Sequence, residues 1–289
     1  MPQQAERRFD ALGTRWRVDT AAPLSDERFA AVEERIAGFD AAWSRFRPDS
    51  LVARLAADGG SADFPPEAGA LLDVYARLYR ATRGAVSPLV GDALERLGYG
   101  SGYRLTPAGA PEPSPVWNDV LTVDGTRITV SRPTVLDVGA AGKGQLVDLV
   151  SALLAELGHP VHTVDASGDL RHSGPEPLRI GLEHPYDPRT AIGVVELAGG
   201  ALCASAANRR AWGDGLHHVI DARTGAPVRE VAATWVLAER AVDADGLATA
   251  LFLAEPEQLA ESFDFRYVRM FTDGVAQWSE DLPGEVFAA

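Results

Sequence analysis

Lysine is almost missing from this chain. Lys143 is the only lysine in 289 residues, and every other cation among the 27 Lys+Arg is arginine. Arginine bias with abundant Ala and Gly points to a GC-rich coding sequence, which accounts for part of that scarcity. Net positive charge is missing too: the formal net charge is -14, which argues against non-specific binding to nucleic acid or an anionic membrane. A small anion would need a local cluster of donors. The single cysteine, Cys203, rules out an internal disulfide and fits a reducing compartment. No run approaches membrane-spanning length. The opening "MPQQAERRFDALGTRW" lacks the apolar core of a signal peptide, so the expected location is cytoplasmic.

What remains is ordinary for a globular protein, with 46% hydrophobic and 24% charged residues. "TRWRVDT" (14–20) predicts a strand. Ser25 reads as the N-cap of a helix whose inward face is Phe29, Val32, Ile36, Phe39 and Trp43, ending before Pro48. A second helix runs through "EAGALLDVYARLYRATRG", with Leu71, Val74, Tyr75, Leu78 and Tyr79 inward and Gly84 as its stop. Residues 105–117 are rich in proline and small residues and read as a surface connection or lobe boundary within one domain spanning 1–289. "VLTVDGTRITV" predicts a hairpin turning at Asp124-Gly125. From Gln145 a helix with Leu146, Val150, Leu153 and Leu157 on one face ends at Gly158, and the strand "VHTVDA" follows. The second half is strand-rich ("LRIGL", "IGVVELA", "HHVIDA", "AATWVLA", "RYVRMFT"), with a helix from about Asp243 to Ala254. The expected class is α+β with mainly antiparallel sheets.

Three stretches carry possible chemistry. In "GAAGKGQ", Gly139, Gly142 and Gly144 surround Lys143 at a helix start, where backbone N–H groups, helix dipole and ammonium would make a phosphate cradle. The Walker pattern is absent, and a Gly-rich turn with a solvated lysine fits the same residues. In "AVDADGLATALFLA", Asp245 and Thr249 share a helical face and are hard oxygen ligands suited to Mg²⁺. Helix capping by Asp243 or Asp245, with Thr249 packing or bonding back to its own helix, explains them more simply from these residues alone. In "HHVIDARTGAPV", one of His217 and His218 would face a site, or both would be structural.

Taken in order, the motifs resemble the ApbE family of FAD:protein FMN transferases. "ALGTRWRV" resembles its "MGT.W.V", "SRFRPDSLVARL" its "STYRPDSEISRF", and "TRGAVSPLVGDAL" its "T.GAFDPTVGPL". "LDVGAAGKGQLVD" is similar to "LDLGAIAKGYAVD", and "VDASGDLRHSG" to "VNIGGDIR..G". "HHVIDARTGAPV" is similar to "HHIIDPRTGYPV", and "DADGLATALFLA" to "..ADALATALFVLG". The resemblance implies an ApbE-like, T-fold-like architecture. It implies Mg²⁺-dependent cleavage of FAD, transfer of FMN to a Thr or Ser hydroxyl of an acceptor flavoprotein with a DxxTGAT-like motif, and release of AMP. Carried over by position, Asp245, Thr249 and the Ala140 carbonyl would hold the metal. Asp137 and Lys143 would contact FAD, with Lys143 at the phosphates. Leu12, Phe46, Ala85, Val86, Ser87 and Val219 would line the flavin or adenine pocket. His218 is the expected base for the acceptor hydroxyl, with metal acidification as the alternative.

The chain departs from these patterns at several points. Phe46 replaces a tyrosine, "AVSPL" replaces "AFDPT", Gln145 replaces the tyrosine after "KG", and "SAANRR" (205–210) replaces "SGDYRR". The family's usual secretory or lipoprotein leader is also not seen. An FAD pyrophosphatase and a non-catalytic flavin-binding protein are the alternative readings. "DARTGAP" (221–227) also resembles the acceptor motif with proline in last place, which raises self-flavinylation at Thr224.

Overall fold

The computed structural model describes residues 5–213 and 215–287. Eight strands make one sheet: β1 (Ala5–Ala11), β2 (Thr14–Thr20), β3 (His162–Asp165), β4 (Asp169–Ser173), β5 (Gly200–Ala206), β6 (Val231–Ala238), β7 (Arg266–Phe271) and β8 (Ala276–Trp278). They lie side by side in chain order, each antiparallel to its neighbour. Between β2 and β3, between β4 and β5, and between β6 and β7 the chain leaves the sheet to build its two coverings.

One face carries the helices α1 (Asp26–Trp43), α2 (Ala68–Ala81), α3 (Gly142–Glu156) and α4 (Ala241–Ala250). The other carries a three-stranded antiparallel sheet made of Leu178–His184, Asp187–Leu197 and Gly284–Val286. Strand β6 shows why both coverings are needed. Side chains alternate between faces along a strand, so Val236 joins the core under the helices while Trp235 and Leu237 join the core under the small sheet. A strand buried on both faces reads as an unbroken apolar run, and "AATWVLA" is one. The expected α+β class with antiparallel sheets is what the fold shows.

Local signals mostly hold. Ser25 caps α1 by accepting from the Arg28 amide. Gly84 ends α2 in the left-handed region at φ 88°, with its N–H on the Tyr79 carbonyl. Three expectations shift. In the hairpin Asp124 pairs with Arg127, so the two loop residues are Gly125 and Thr126. The positive φ falls on Gly125, as a type II′ turn requires. Helix α3 starts at Gly142 and buries Leu146, Val147, Val150 and Leu154, leaving Leu153 and Leu157 half-exposed. "HHVIDA" is not one strand: Leu216–His217 and Ile220–Asp221 make separate two-residue bridges. There the Val219 amide turns onto His217 Nδ1 while His217 Nε2 donates to the Val228 carbonyl.

Helix α4 is anchored by a carboxylate from α3. Asp148 accepts from the Ala241 and Val242 amides at 3.0 and 2.9 Å and from Arg171 at 2.7 Å. A negative group at a helix N-terminus satisfies amides the helix itself cannot. Burial pushes the Asp148 carboxyl up in spite of these donors. Asp148→Ala would leave both amides unanswered and Arg171 with only the Glu239 carbonyl, an expected loss of about 3 kcal/mol. Chemical denaturation checks this; an unchanged midpoint would contradict the anchoring role.

Candidate active site

The centre of the site is the turn that leads into α3. The Asp137 amide is tied to the Pro88 carbonyl, and the Gly139 amide turns back onto Asp137 Oδ1 at 2.7 Å. The Ala140 amide donates to the Tyr75 hydroxyl at 3.1 Å, from the buried face of α2. The first turn of α3 closes from the Gln145 amide to the Ala141 carbonyl at 3.0 Å, so the Gly144 amide is one of the N-terminal donors that the helix itself leaves without an acceptor. It donates instead to Asp245 Oδ2 on α4, at 2.8 Å. The Ala140 carbonyl, one residue before the helix cap, accepts no hydrogen bond among the described residues.

Only glycine permits the approach. An ideal Cβ on Gly144 would lie 2.2 Å from the Ala241 carbonyl oxygen and 2.7 Å from Asp245 Cβ. One turn along α4 from Asp245, the Thr249 hydroxyl has no hydrogen-bond partner among the described residues. The two side chains expected to act together therefore sit on one helix, against the mouth of the α3 turn.

Lys143 is not a solvated surface lysine. Its Nζ donates to the Ala166 carbonyl at 3.1 Å and lies 3.0 Å from Asp169 Oδ2, in the tight link between β3 and β4. Asp169 is fully enclosed, and burial pushes its carboxyl up against the pull of Lys143. Asp245 is pushed well up as well, first by burial and then by the charge of Asp169; Lys143 and the Gly144 amide oppose this. For Lys143, burial favours the neutral amine, but Asp169 and Asp245 outweigh it and raise its pKa. Two buried carboxylates thus share one ammonium, a charge balance that suits one further cation.

The residues expected to line a pocket fall around this centre in different ways. Phe46 packs with Tyr99 and Tyr103 at 5.7 and 5.3 Å between ring centres. Ala85 and Val86 are buried, with the Ala85 carbonyl accepting from the Ala222 amide. Ser87 caps the turn Pro88–Val90 by accepting from the Leu89 amide, and Val219 is buried. Leu12 lies in the β1–β2 turn at φ 51°, exposed. That turn shares a sheet end with the Lys143 partners, because Arg17 pairs with Asp165 and Ser167 donates to the Arg15 carbonyl.

His218 Nδ1 is enclosed with no partner. Burial, followed by the nearby Arg210 charge, lowers its pKa to about 3. His218 is accordingly neutral near pH 7 and holds a captured proton weakly. Its ring resonances should not titrate between pH 5 and 8 in the free protein; an NMR midpoint near 6.5 would contradict the burial argument.

A family model described as the ApbE family matches residues 12–269. The chain belongs to the ApbE family. Among curated relatives, an FAD:protein FMN transferase of Rhodobacter capsulatus is 30% identical over 257 residues, covering 80% of this chain and 47% of that protein. One of Haemophilus influenzae is 27% identical over 264 residues, covering 82% of this chain and 75% of that protein. The chain thus spans about half the length of the Rhodobacter relative. The ApbE protein of Thermotoga maritima superposes with a TM-score of 0.84 at 25% identity, covering 96% of this chain and 97% of that one. The flavin transferase ApbE of Vibrio cholerae superposes at 0.80 and 22%, covering 96% and 97%.

For this ApbE member, the site rests on residues that motif reading did not single out. Tyr75, Asp148 and Asp169 hold the α3 turn, the α4 start and Lys143. Asp169 lies inside the quoted "VDASGDLRHSG" stretch, where its neighbour glycine marked a turn but nothing marked an enclosed charge. Arg45 donates to Asp137 Oδ2 at 2.5 Å. Burial pushes the Asp137 carboxyl up, but Arg45 and the Gly139 amide outweigh it and hold it below the ordinary value. Among the described residues no cluster of three or more His, Cys, Asp or Glu side chains is arranged for a metal. A site built from one carboxylate, one hydroxyl and one carbonyl would not form such a cluster.

Proposed function

We propose that this ApbE protein transfers FMN from FAD to a Thr or Ser hydroxyl of an acceptor flavoprotein, with release of AMP and dependence on Mg²⁺. The observation that carries the reading is the buried Asp245 carboxylate docked on the Gly144 amide at the start of α3. The Ala140 carbonyl in the turn before α3 and the Thr249 hydroxyl one turn along α4 also have free oxygen lone pairs, which with Asp245 make a hard-oxygen set of the kind Mg²⁺ takes. These three residues would hold the ion, and a bound Mg²⁺ would neutralise pyrophosphate charge in the reaction.

The chain's own residues supply the rest. Lys143, held by Asp169 and the Ala166 carbonyl, presents its charge at the start of α3, where a phosphate would also meet the helix dipole. Asp137, fixed by Arg45 and Gly139, is a ready acceptor for an N–H or O–H of the donor. His218 is neutral, but with its pKa lowered to about 3 it is a weak base for the acceptor hydroxyl, which favours the alternative in which a bound metal would acidify that hydroxyl.

AMP release from FAD tests the reading. It is expected in the presence of Mg²⁺ and an acceptor domain, and expected to stop with EDTA. Release that persists without acceptor at the same rate would favour the pyrophosphatase alternative. Lys143→Arg should lower the rate at least about tenfold, because the planar guanidinium does not replace a compact ammonium between Asp169 and the Ala166 carbonyl. An unchanged rate in Lys143→Arg would remove Lys143 from the account. Fractionation would test the proposed cytoplasmic location.

A further inference from the structure

Arg45 is enclosed, with 3% of its side chain exposed, and only its Nε is hydrogen-bonded, to Asp137. Nη1 and Nη2 are buried with no hydrogen-bond partner. Glu95 Oε1 is 3.9 Å from Nη1, beyond hydrogen-bond reach. Enclosed donors without acceptors are costly to a fold, so these two nitrogens point to a missing partner.

Their surroundings say what kind. The guanidinium carbon lies 4.3 Å from the Phe46 ring centre and 5.1 Å from that of Tyr99. Tyr103 lies nearly parallel to Phe46, 5.3 Å between centres and 13° between planes. Yet Tyr103 is 56% exposed, and its backbone is left-handed at φ 42°, as is that of exposed Leu105 at 51°. Non-glycine residues occupy that region at a cost. A weakly buried ring on a strained loop is thus stacked on a pocket aromatic above an unanswered cation.

We propose that the Arg45–Asp137 pair binds the edge of a planar nitrogen heterocycle, whose ring takes the place on Phe46 that Tyr103 occupies in the free protein. Arg45 donates to a ring carbonyl or imine nitrogen while Asp137 accepts the adjacent N–H. Arg45 stands where the ApbE pattern "STYRPDS" carries threonine, so the contact is an addition to that pattern. The inference rests on the FAD reading. Within FAD, both the flavin imide edge and the adenine amino edge offer an N–H beside an acceptor.

Calorimetric binding of FMN and of AMP, each with Mg²⁺, separates the two sources. Arg45→Thr is expected to weaken one probe at least tenfold and leave the other within twofold, with Arg45→Lys recovering only part of the loss. Tyr103→Ala is expected to tighten that same probe. Unchanged binding of both probes in Arg45→Thr, equal loss of both, or weaker binding in Tyr103→Ala would each overturn the proposal. If Arg45→Thr does not fold, Arg45→Lys and Tyr103→Ala decide the matter by the same signs. Wild-type protein that binds neither probe would overturn this inference and the FAD reading together. Wild-type protein that cleaves FAD while both probes ignore Arg45 would overturn the inference alone.

Discussion

Asp245→Asn should abolish turnover and make the protein more stable at the same time. The amide oxygen of asparagine can still accept from the Gly144 N–H, so the contact between α3 and α4 survives. What disappears is a negative charge that burial and Asp169 already disfavour. Buried carboxylates kept for function commonly cost stability. The apo variant is therefore expected to melt a few degrees above the wild type, about 1 kcal/mol or more by the usual conversion. Turnover should fall about a thousandfold, near 4 kcal/mol of barrier, because a neutral amide replaces a charged metal ligand. Mg²⁺ should raise the melting temperature of the wild type and leave that of Asp245→Asn unmoved. A variant that keeps its activity, or that melts lower with no loss of Mg²⁺ response, would show that Asp245 is structural.

Gly144→Ala should lose stability and activity together. The added Cβ would meet the Ala241 carbonyl oxygen at 2.2 Å and the carbonyl carbon at 2.6 Å, both backbone atoms that no rotamer change can clear. The two helices must separate, at an expected cost of about 3 kcal/mol or more. For a chain of this size that lowers the melting temperature by about 5 °C. Separation also withdraws the Gly144 amide from Asp245, so residual folded protein should be inactive. A variant with wild-type melting would contradict the close crossing of α3 and α4.

The contrast between the two variants shows where sequence reading reaches and where it stops. The Gly-Lys-Gly start of α3 and the Asp245–Thr249 spacing on α4 are local patterns, and each is legible without a structure. So are the Ser25 cap and the both-sides-buried strand "AATWVLA". Strands β4 and β5 passed unnoticed because "DLRHS" and "GALCASA" show little alternation, and their places are set by neighbours on either side. The α3 face was misplaced by part of a turn because apolar residues nearly surround that helix. Its burial is decided by α1 and α4, which local periodicity does not contain. Long-range pairings were beyond reach for the same reason: Lys143 with Asp169, Asp148 with the start of α4, and Arg45 with Asp137, 92 residues apart. Lys143 was conspicuous as the sole lysine, but its partner could not be read from composition.

The most direct test of the account is intact-mass spectrometry of a small acceptor domain carrying a DxxTGAT motif, incubated with this protein, FAD and Mg²⁺, with AMP quantified in the same tube. The account predicts a mass gain equal to one esterified FMN, matched mole for mole by AMP, and loss of both in Asp245→Asn. An acceptor of unchanged mass, beside intact FAD or beside free FMN and AMP, would contradict transfer to that acceptor.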